Sequence, residues 1–345
     1  MSQMGSHACS NCYMCGAQGG SLYRNLEDRL FLAPGVWGLR QCPNFRCRLL
    51  WLDPKPNEED IGKAYESYYT HSDGRDTTTG ATLTRRFIRA IKAGYVARKY
   101  GYLNGKASVV RKALGLAAYL SPPKRAQVDF SLMYLASLPA GRLLEVGCGS
   151  GSMLKTMQEL GWQVEGVDFD PGAVENCRRK GLKVHLGTLE GVGYPDNYFD
   201  AVTMSHLIEH VHDPLQLVCE CLRILKTGGR LSLVTPNSNS LGHRLFRSTW
   251  FHLDPPRHLH IFTPASLRSL LHRAGFHRMK LLTTIRDADL VFVASRSIQR
   301  TGRYEMGATL PRIARVWGRA MQAFEWVLLR VDHDAGEELA AVVHK

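Results

Sequence analysis

Three glycines spaced two apart, Gly147, Gly149 and Gly151, close the run Arg142-Leu143-Leu144-Glu145-Val146 and lead into Ser152-Met153-Leu154. No other feature narrows the folds open to this chain as much. A short apolar run that stops at closely spaced glycines reads as a strand turning tightly into a helix, its backbone bare enough for a ligand to approach. At the carboxyl end of a strand in a doubly wound sheet, nucleosides bind. The dinucleotide fingerprint needs G-x-G-x-x-G and a helix N-terminus facing a pyrophosphate, and this spacing does not supply it. Glu145 would repel a pyrophosphate and suits a ligand with a cationic amino group. The next strand ends at Asp168, 17 residues past Gly151, where a carboxylate accepts bonds from ribose hydroxyls.

A loop that tolerates a cation, followed by an acid placed for ribose, points to S-adenosylmethionine. The chain keeps the same rhythm beyond this point. Strands are expected over 142–146, 163–167, 183–186, 199–204, 230–234, 279–284 and 338–343, and helices over 153–160, 171–180, 214–225 and 264–274. Such alternation means βαβ units: an α/β fold with a doubly wound, mostly parallel sheet.

The stretches Glu145-Val146-Gly147-Cys148-Gly149-Ser150-Gly151, Val167-Asp168-Phe169-Asp170, Phe199-Asp200-Ala201-Val202, Ile208-Glu209-His210-Val211-His212-Asp213-Pro214 and Leu225-Lys226-Thr227-Gly228-Gly229 resemble the class I S-adenosylmethionine-dependent methyltransferases. The resemblance covers roughly Gly141 to Phe276 together with the last strand. It implies a seven-stranded Rossmann-like sheet with an antiparallel last strand, and transfer of the cofactor's methyl group. It further implies that Gly147, Gly149 and Gly151 line the cofactor's amino-acid portion and that Asp168 holds the ribose. Thr188 stands where many relatives place an Asp near the adenine amine. Glu145, Cys148, Phe169, Leu189 and Ser205 are expected to complete the pocket. The catalytic part is similar to the ubiquinone-pathway O-methyltransferases, which carry Glu where His206 stands and share Glu209-His210.

Histidine is dense in two stretches that follow strand ends: His206, His210 and His212, then His252, His258 and His260. Methyl transfer from a sulfonium is an in-line displacement that needs a positioned acceptor and, for a hydroxyl, a base. His206 and His258 are the catalytic candidates, as base or orienting donor. Arg257 is read as a bidentate clamp for an anionic acceptor, and Trp250 with Phe251 as a hydrophobic lid. In the competing reading Glu209 and His210 only brace the helix that follows, the commoner role of an isolated histidine.

Five of nine cysteines fall in the first 47 residues. Met1 to Gly20 shows no basic stretch followed by an apolar one, and no apolar run is long enough to span a bilayer, so a reducing cytoplasmic setting is expected. There, clustered cysteines ask for a metal rather than disulfides. Cys12-x-x-Cys15-Gly16 and Cys42-x-x-x-x-Cys47, 26 residues apart, can close a tetrahedral four-thiolate zinc site with a structural task. The arrangement looks like the zinc-ribbon-like segment that precedes the methyltransferase domain in a bacterial subgroup. Cys9 or His7 competes as a ligand, and free thiols are the plain alternative. Cys148, Cys177, Cys219 and Cys221 read as small core hydrophobes.

Of the net charge of +13, eleven positive residues, among them Arg85, Arg86, Arg89, Lys92, Lys99, Lys106 and Arg111, lie between Thr77 and Val128, which holds no acid. Phe87, Ile88, Ile91 and Tyr95 share one face of a helix there, with Val96 and Arg98 out of pattern. Such a helix can dock on an anionic membrane leaflet or pack on its own domain. The expected organisation is a zinc-ribbon-like segment at 1–70, a basic helical segment at 71–137, and the methyltransferase domain at 138–345 with a helical insertion at about 287–334. The expected activity is O-methylation of a small-molecule, saccharide or lipid-linked acceptor. The alternative is an RNA-binding or RNA-modifying enzyme that grips phosphates with the basic segment.

Overall fold

The computed structural model describes residues 4–65, 83–102, 109–138 and 140–345. Its main strands, in chain order, are Gly20–Leu26 (β1), Trp37–Gln41 (β2), Leu50–Leu52 (β3), Arg142–Val146 (β4), Gln163–Asp168 (β5), Val184–Leu186 (β6), Phe199–Ser205 (β7), Leu225–Pro236 (β8), His260–Ile261 (β9), Arg278–Thr284 (β10) and Glu338–His344 (β11). The principal helices are Leu83–Tyr100 (α1), Pro122–Ser131 (α2), Ser152–Glu159 (α3), Pro171–Arg179 (α4), Pro214–Ile224 (α5), Pro264–Arg273 (α6), Ala288–Thr301 (α7) and Arg312–Leu328 (α8). Seven strands form one sheet in the order β10-β11-β8-β7-β4-β5-β6. The pairs β4–β5, β4–β7 and β5–β6 are parallel. A separate four-stranded sheet runs β9-β3-β2-β1.

The expected α/β fold is therefore the observed one, with most element ends within a residue or two of expectation. The strand expected at 230–234 is much longer, because the ladder continues through Gly228, whose φ of +77° lets the chain turn and whose N–H donates to the Lys345 carbonyl at 3.1 Å. Local chemistry sets the helix starts. Asp170 accepts from the Gly172 and Ala173 amides with Pro171 in the first turn, and Thr263 forms a capping box with Ser266, satisfying amides the helix cannot.

The chain divides into two compact units. One draws on Tyr69–Met204, Arg223–Ser232 and His344–Lys345 and holds β4 to β6 and most of β7. Its strands are buried on both faces, Leu143, Leu144, Ala201 and Val202 being fully inaccessible, which is why they read as unbroken apolar runs. Within this unit the basic helix α1 is split along its length. Tyr95, Val96 and Tyr100 are buried, and Asp129 accepts from Tyr95 at 2.7 Å, from Tyr100 at 2.8 Å and from Lys99 at 2.8 Å. Gly115 comes so close to the Gly94 backbone that a Cβ would sit 2.4 Å from it. Val96, out of pattern in the sequence, belongs to this packed half. Phe87, Ile88, Arg86, Arg89 and Lys92 are exposed. The expected boundary near residue 70, Lys106 and the side chains of Arg85 and Arg111 lie outside the described residues.

The other unit draws on Met1–Tyr68, Ser205–Leu222 and Leu233–Val343. It contains the small sheet, with Leu39, Leu49, Leu50 and Trp51 in its core, and the helices α7 and α8, which occupy the insertion expected at about 287–334. No helix among the described residues is long and apolar enough to cross a membrane.

Candidate functional site

The expected site residues fall in both units. In the first, β4 runs out into the glycine turn, where Gly149 has φ +50° and Gly151 φ +72°. A Cβ on Gly149 would meet nothing within 4 Å, so the turn is an open cradle, whereas one on Gly151 would strike Cys177 at 2.7 Å. Asp168, at the end of β5, accepts from the Gly149 amide at 2.8 Å and the Asp170 amide at 3.0 Å, which fixes its carboxylate beside the cradle. Burial raises its pKa, partly offset by these amides. Glu145 is buried with its Oε2 lacking any partner. Burial, then the charge of Asp168, pushes its pKa well up. An orphaned buried carboxylate oxygen near a second carboxylate is satisfied by a cationic ligand group. Phe169 is 53% exposed next to Asp168. Thr188 accepts from the Gly191 amide as a helix cap. The Cys148 and Leu189 side chains are buried in the core, which leaves their backbones as the groups able to meet a ligand.

Ser205 and the histidines belong to the second unit. His206 follows β7 in a left-handed conformation, φ +50°, uncommon for a residue with a side chain and a mark of a site held by its surroundings. Its Nδ1 lies 3.3 Å from Glu209 and its Nε2 3.0 Å from Glu338. Both ring nitrogens thus face carboxylates, which favour the charged ring, and Arg286 Nη2 also stands 3.0 Å from Nε2. Burial opposes that charge, but Glu209 and Glu338 outweigh it and raise the pKa to about 9. Burial alone would raise the two acids; His206 takes Glu209 down to about 2, and Arg286 with His206 takes Glu338 to about 2. Arg286 reaches Glu338 with Nε at 2.9 Å and Nη2 at 2.6 Å. The Thr235 hydroxyl donates to Glu209 at 2.8 Å.

Around this cation stand neutral rings. Burial and then His258 take His210 down to about 4, and burial with the His206 charge takes His252 to about 3. The Nδ1 of His258 lies 2.7 Å from the His252 carbonyl, and that of His210 lies 3.1 Å from the Arg257 carbonyl. A carbonyl only accepts, so each Nδ1 carries a proton. His206, His210, His252 and His258 line a cavity of about 300 Å³ with Phe251 and Tyr304. The ligating atoms of Glu209, His210 and His258 lie within 4.8 Å of one another.

Removing one wall of this cluster should be readable. Glu338→Gln is expected to drop the His206 pKa from about 9 toward its ordinary 6.5. NMR titration of the ring measures it, and an unmoved pKa would refute the two-carboxylate account. The signs follow from linkage. The stability His206 contributes is full below about pH 6.5 and lost as pH rises through about 9, while that of Glu209 and Glu338 is present above about 4.5 and lost toward about 2.

Three expectations are corrected. Arg257 is no substrate clamp: it is fully buried between Asp28, at 2.8 Å, and Asp254, at 2.5 Å, and so has no face for a ligand. Trp250 is buried and donates to Glu337 at 2.9 Å, so only Phe251 of the expected lid lines the cavity. Cys219 is exposed, not a core residue. Arg286 and Glu338, which set the state of His206, went unflagged in the sequence. Their only signal was position, just after β10 and at the first residue of β11.

The four expected cysteines meet. Cys12 Sγ is 3.7 Å from Cys47 Sγ, Cys15 Sγ is 3.4 Å from Cys42 Sγ, and all four lie within 4.8 Å of one another. Thiolates at about 2.3 Å from a tetrahedral ion stand about 3.8 Å apart, so the donors fit. The first knuckle closes through the Gly16 amide on the Cys12 carbonyl at 2.8 Å, the second through the Cys47 and Arg48 amides on Asn44. Arg48, at φ +52°, follows the second pair as Gly16, at φ +71°, follows the first. Burial, then the neighbouring thiols, pushes Cys42 up to about 11. Cys9 and His7 stand apart, bonded to Asn11 and Asn57.

Residues 116–280 match the Methyltransferase domain family. Over 107 residues the chain is 37% identical to a ubiquinone biosynthesis O-methyltransferase of Xanthomonas oryzae pv. oryzae, covering 29% of this chain and 45% of that protein. Over 165 residues it is 33% identical to a probable S-adenosylmethionine-dependent methyltransferase of Mycolicibacterium smegmatis, covering 47% and 62%. The chain spans about half the length of the curated relatives it matches. Among solved structures, a SAM-dependent methyltransferase from Archaeoglobus fulgidus aligns at 22% identity over 65% of this chain and 92% of that one, with a TM-score of 0.43.

Proposed function

Residues 116–280 are a class I S-adenosylmethionine-dependent methyltransferase domain, and from that premise we propose that the chain methylates an oxygen of a small-molecule, saccharide or lipid-linked acceptor. The observation that carries the reading is the open glycine cradle flanked by Asp168 and the orphaned carboxylate of Glu145. Gly147, Gly149 and Gly151 would take the cofactor's amino-acid end, Asp168 its ribose, and Phe169, Thr188, Leu189, Cys148 and Ser205 the rest of its surface. When bound, S-adenosylmethionine supplies an electrophilic methyl group on a sulfonium. The chain's own contribution lies in the histidine cavity. His258, its Nδ1–H held by the His252 carbonyl, takes the acceptor's hydroxyl proton at Nε2; His206, gripped by Glu209 and Glu338, orients the acceptor through its positive charge. The carboxylates that charge His206 make it a poor base.

The four-cysteine cluster would hold a structural zinc, since closed thiolate coordination leaves no position for substrate. The proposed organisation keeps a zinc-ribbon-like segment at 1–70, a basic helical segment at 71–137 and the catalytic domain at 138–345. Exposed Phe87, Ile88, Arg86, Arg89 and Lys92 would let the outer half of α1 touch an anionic leaflet at the periphery of the cytoplasmic membrane.

Asp168→Ala is the test. It removes the carboxylate that accepts two ribose hydroxyl bonds, and at about 1.5–3 kcal/mol for a hydrogen bond to a charged group should weaken S-adenosylmethionine at least tenfold in calorimetry. An unchanged affinity would overturn the pocket.

A further inference from the structure

Helix α8 is amphipathic the wrong way round. Its inward face carries Gln322 and Glu325, both buried, while Ile313 is 81% exposed, Val316 66%, Phe324 55% and Val327 57%. The rotation is fixed: Gln322 donates to the Ile285 carbonyl at 2.8 Å and Glu325 accepts from the Glu337 amide at 2.8 Å. A helix pinned by buried polar bonds with its aliphatic residues outward presents a surface that gains by being covered.

At the N-terminal end of that surface, between α7 and α8, lies a cavity of about 1090 Å³. Its walls divide by chemistry. Leu32, Val293, Ile313 and Trp317 give an apolar side, and Leu32 is 61% exposed. Arg29, Arg296, Arg300 and Arg303 face the same space against one acid, Glu305. None of the four makes an ion pair with a carboxylate among the described residues. Arg296 lies 4.5 Å over the Trp317 ring, and Arg29 donates to the Ser248 carbonyl at 2.8 Å. Two half-buried guanidinium groups, Arg29 and Arg296, and two exposed ones, Arg300 and Arg303, none ion-paired among the described residues, stand beside bare aliphatic side chains and match a ligand that is both anionic and apolar.

We propose that this groove binds an anionic amphiphile, a phosphate or pyrophosphate carried on a single hydrocarbon chain, with the phosphate among Arg29, Arg296, Arg300 and Arg303 and the chain along Leu32 and Ile313. Leu30 and Tyr304 line both this groove and the histidine cavity. A group joined to the phosphate therefore reaches His206 and His258 past those two side chains. On the methyl-transfer reading, on which this part of the inference rests, that group is the acceptor, which narrows the substrate to a lipid-phosphate conjugate.

Calorimetry of the full chain with dodecyl phosphate below its micellar concentration tests the groove. Dodecyl phosphate should bind at least about tenfold more tightly than inorganic phosphate, pyrophosphate or neutral dodecyl maltoside. Arg300→Gln with Arg303→Gln, both exposed and without side-chain partners, should weaken it about tenfold while leaving unfolding and S-adenosylmethionine affinity unchanged; Ile313→Ser should weaken it without altering phosphate binding. Equal binding of inorganic phosphate, or equal binding of the maltoside, overturns the proposal. So does retention on phosphatidylglycerol vesicles without uptake of monomeric dodecyl phosphate, which would give the α8 face to a bilayer. Dodecyl phosphate bound with S-adenosylmethionine rejected would leave the groove standing and sink only the methyl-transfer reading.

Discussion

Arg257→Ala is expected to lower the unfolding free energy by about 3–5 kcal/mol, read as a shift in urea midpoint at unchanged slope. Arg257 is fully buried and its fork spans two carboxylates: Nη1 and Nη2 reach Asp28 at 2.8 Å, Nε reaches Asp254 at 3.0 Å, and Nη1 also donates to the Ala64 carbonyl at 3.0 Å. Asp28 in turn accepts from the Leu30, Phe31 and Ala33 amides, so the ion pair anchors a loop as well as neutralising a charge. Truncation strands two buried carboxylates, and that desolvation, more than the lost attraction, sets the size of the effect. Lys should not rescue it, because a point charge on a flexible stem cannot bridge both acids. The exposed pair Arg244–Asp332, at 2.5 Å, is the control: Arg244→Ala should cost under about 1 kcal/mol. A loss at Arg257 as small as that control would refute the argument.

What was legible in the sequence follows the range of each interaction. The glycine turn, Asp168 and the alternation of strands and helices are local signals, fixed by sterics and periodicity within some thirty residues, and the structure keeps them. The cysteines were legible because thiolate ligation leaves a spacing signature, although the knuckle geometry at Arg48 was not. Arg257 was misread because its partner Asp28 lies 229 residues away; in sequence, an Arg among Pro and His in a strand-end loop looks like a ligand clamp. The charge of His206 was invisible for the same reason, since Glu338 stands 132 residues on. The outward aliphatic residues of α8 had no local signal either, because the helix is turned by Gln322 on the Ile285 carbonyl and Glu325 on the Glu337 amide.

The largest expected effect comes from Cys12→Ser with Cys15→Ser. Wild-type protein purified without chelator should carry one zinc per chain, and the double variant none, by elemental analysis. The four sulfurs already stand at ion-binding separations, 3.4 and 3.7 Å within pairs, so the fold has met the cost of gathering them. Without an ion the cluster is a knot of thiols held by neutral bonds alone, among them Cys12 with Ala17, Gly16 with Cys12, Cys47 with Asn44 and Cys42 with Leu49. Structural zinc in small domains supplies about 10–16 kcal/mol at neutral pH, far above what the cores around Leu39 and Trp51 can replace. The small sheet β9-β3-β2-β1 should therefore lose amide protection against hydrogen exchange over residues 9–52, while β4 to β6 in the other unit keep theirs. Cys9→Ser separates ligand from bystander: its sulfur bonds the Asn11 carbonyl, at 3.9 Å, and lies outside the group of four, so that variant should keep its metal. Because each ligand must shed a proton, zinc should leave as pH falls, with the exchange pattern of the double variant appearing in the wild type at the same point. Zinc retained by the Cys12, Cys15 variant, or lost from Cys9→Ser, would reassign the ligands.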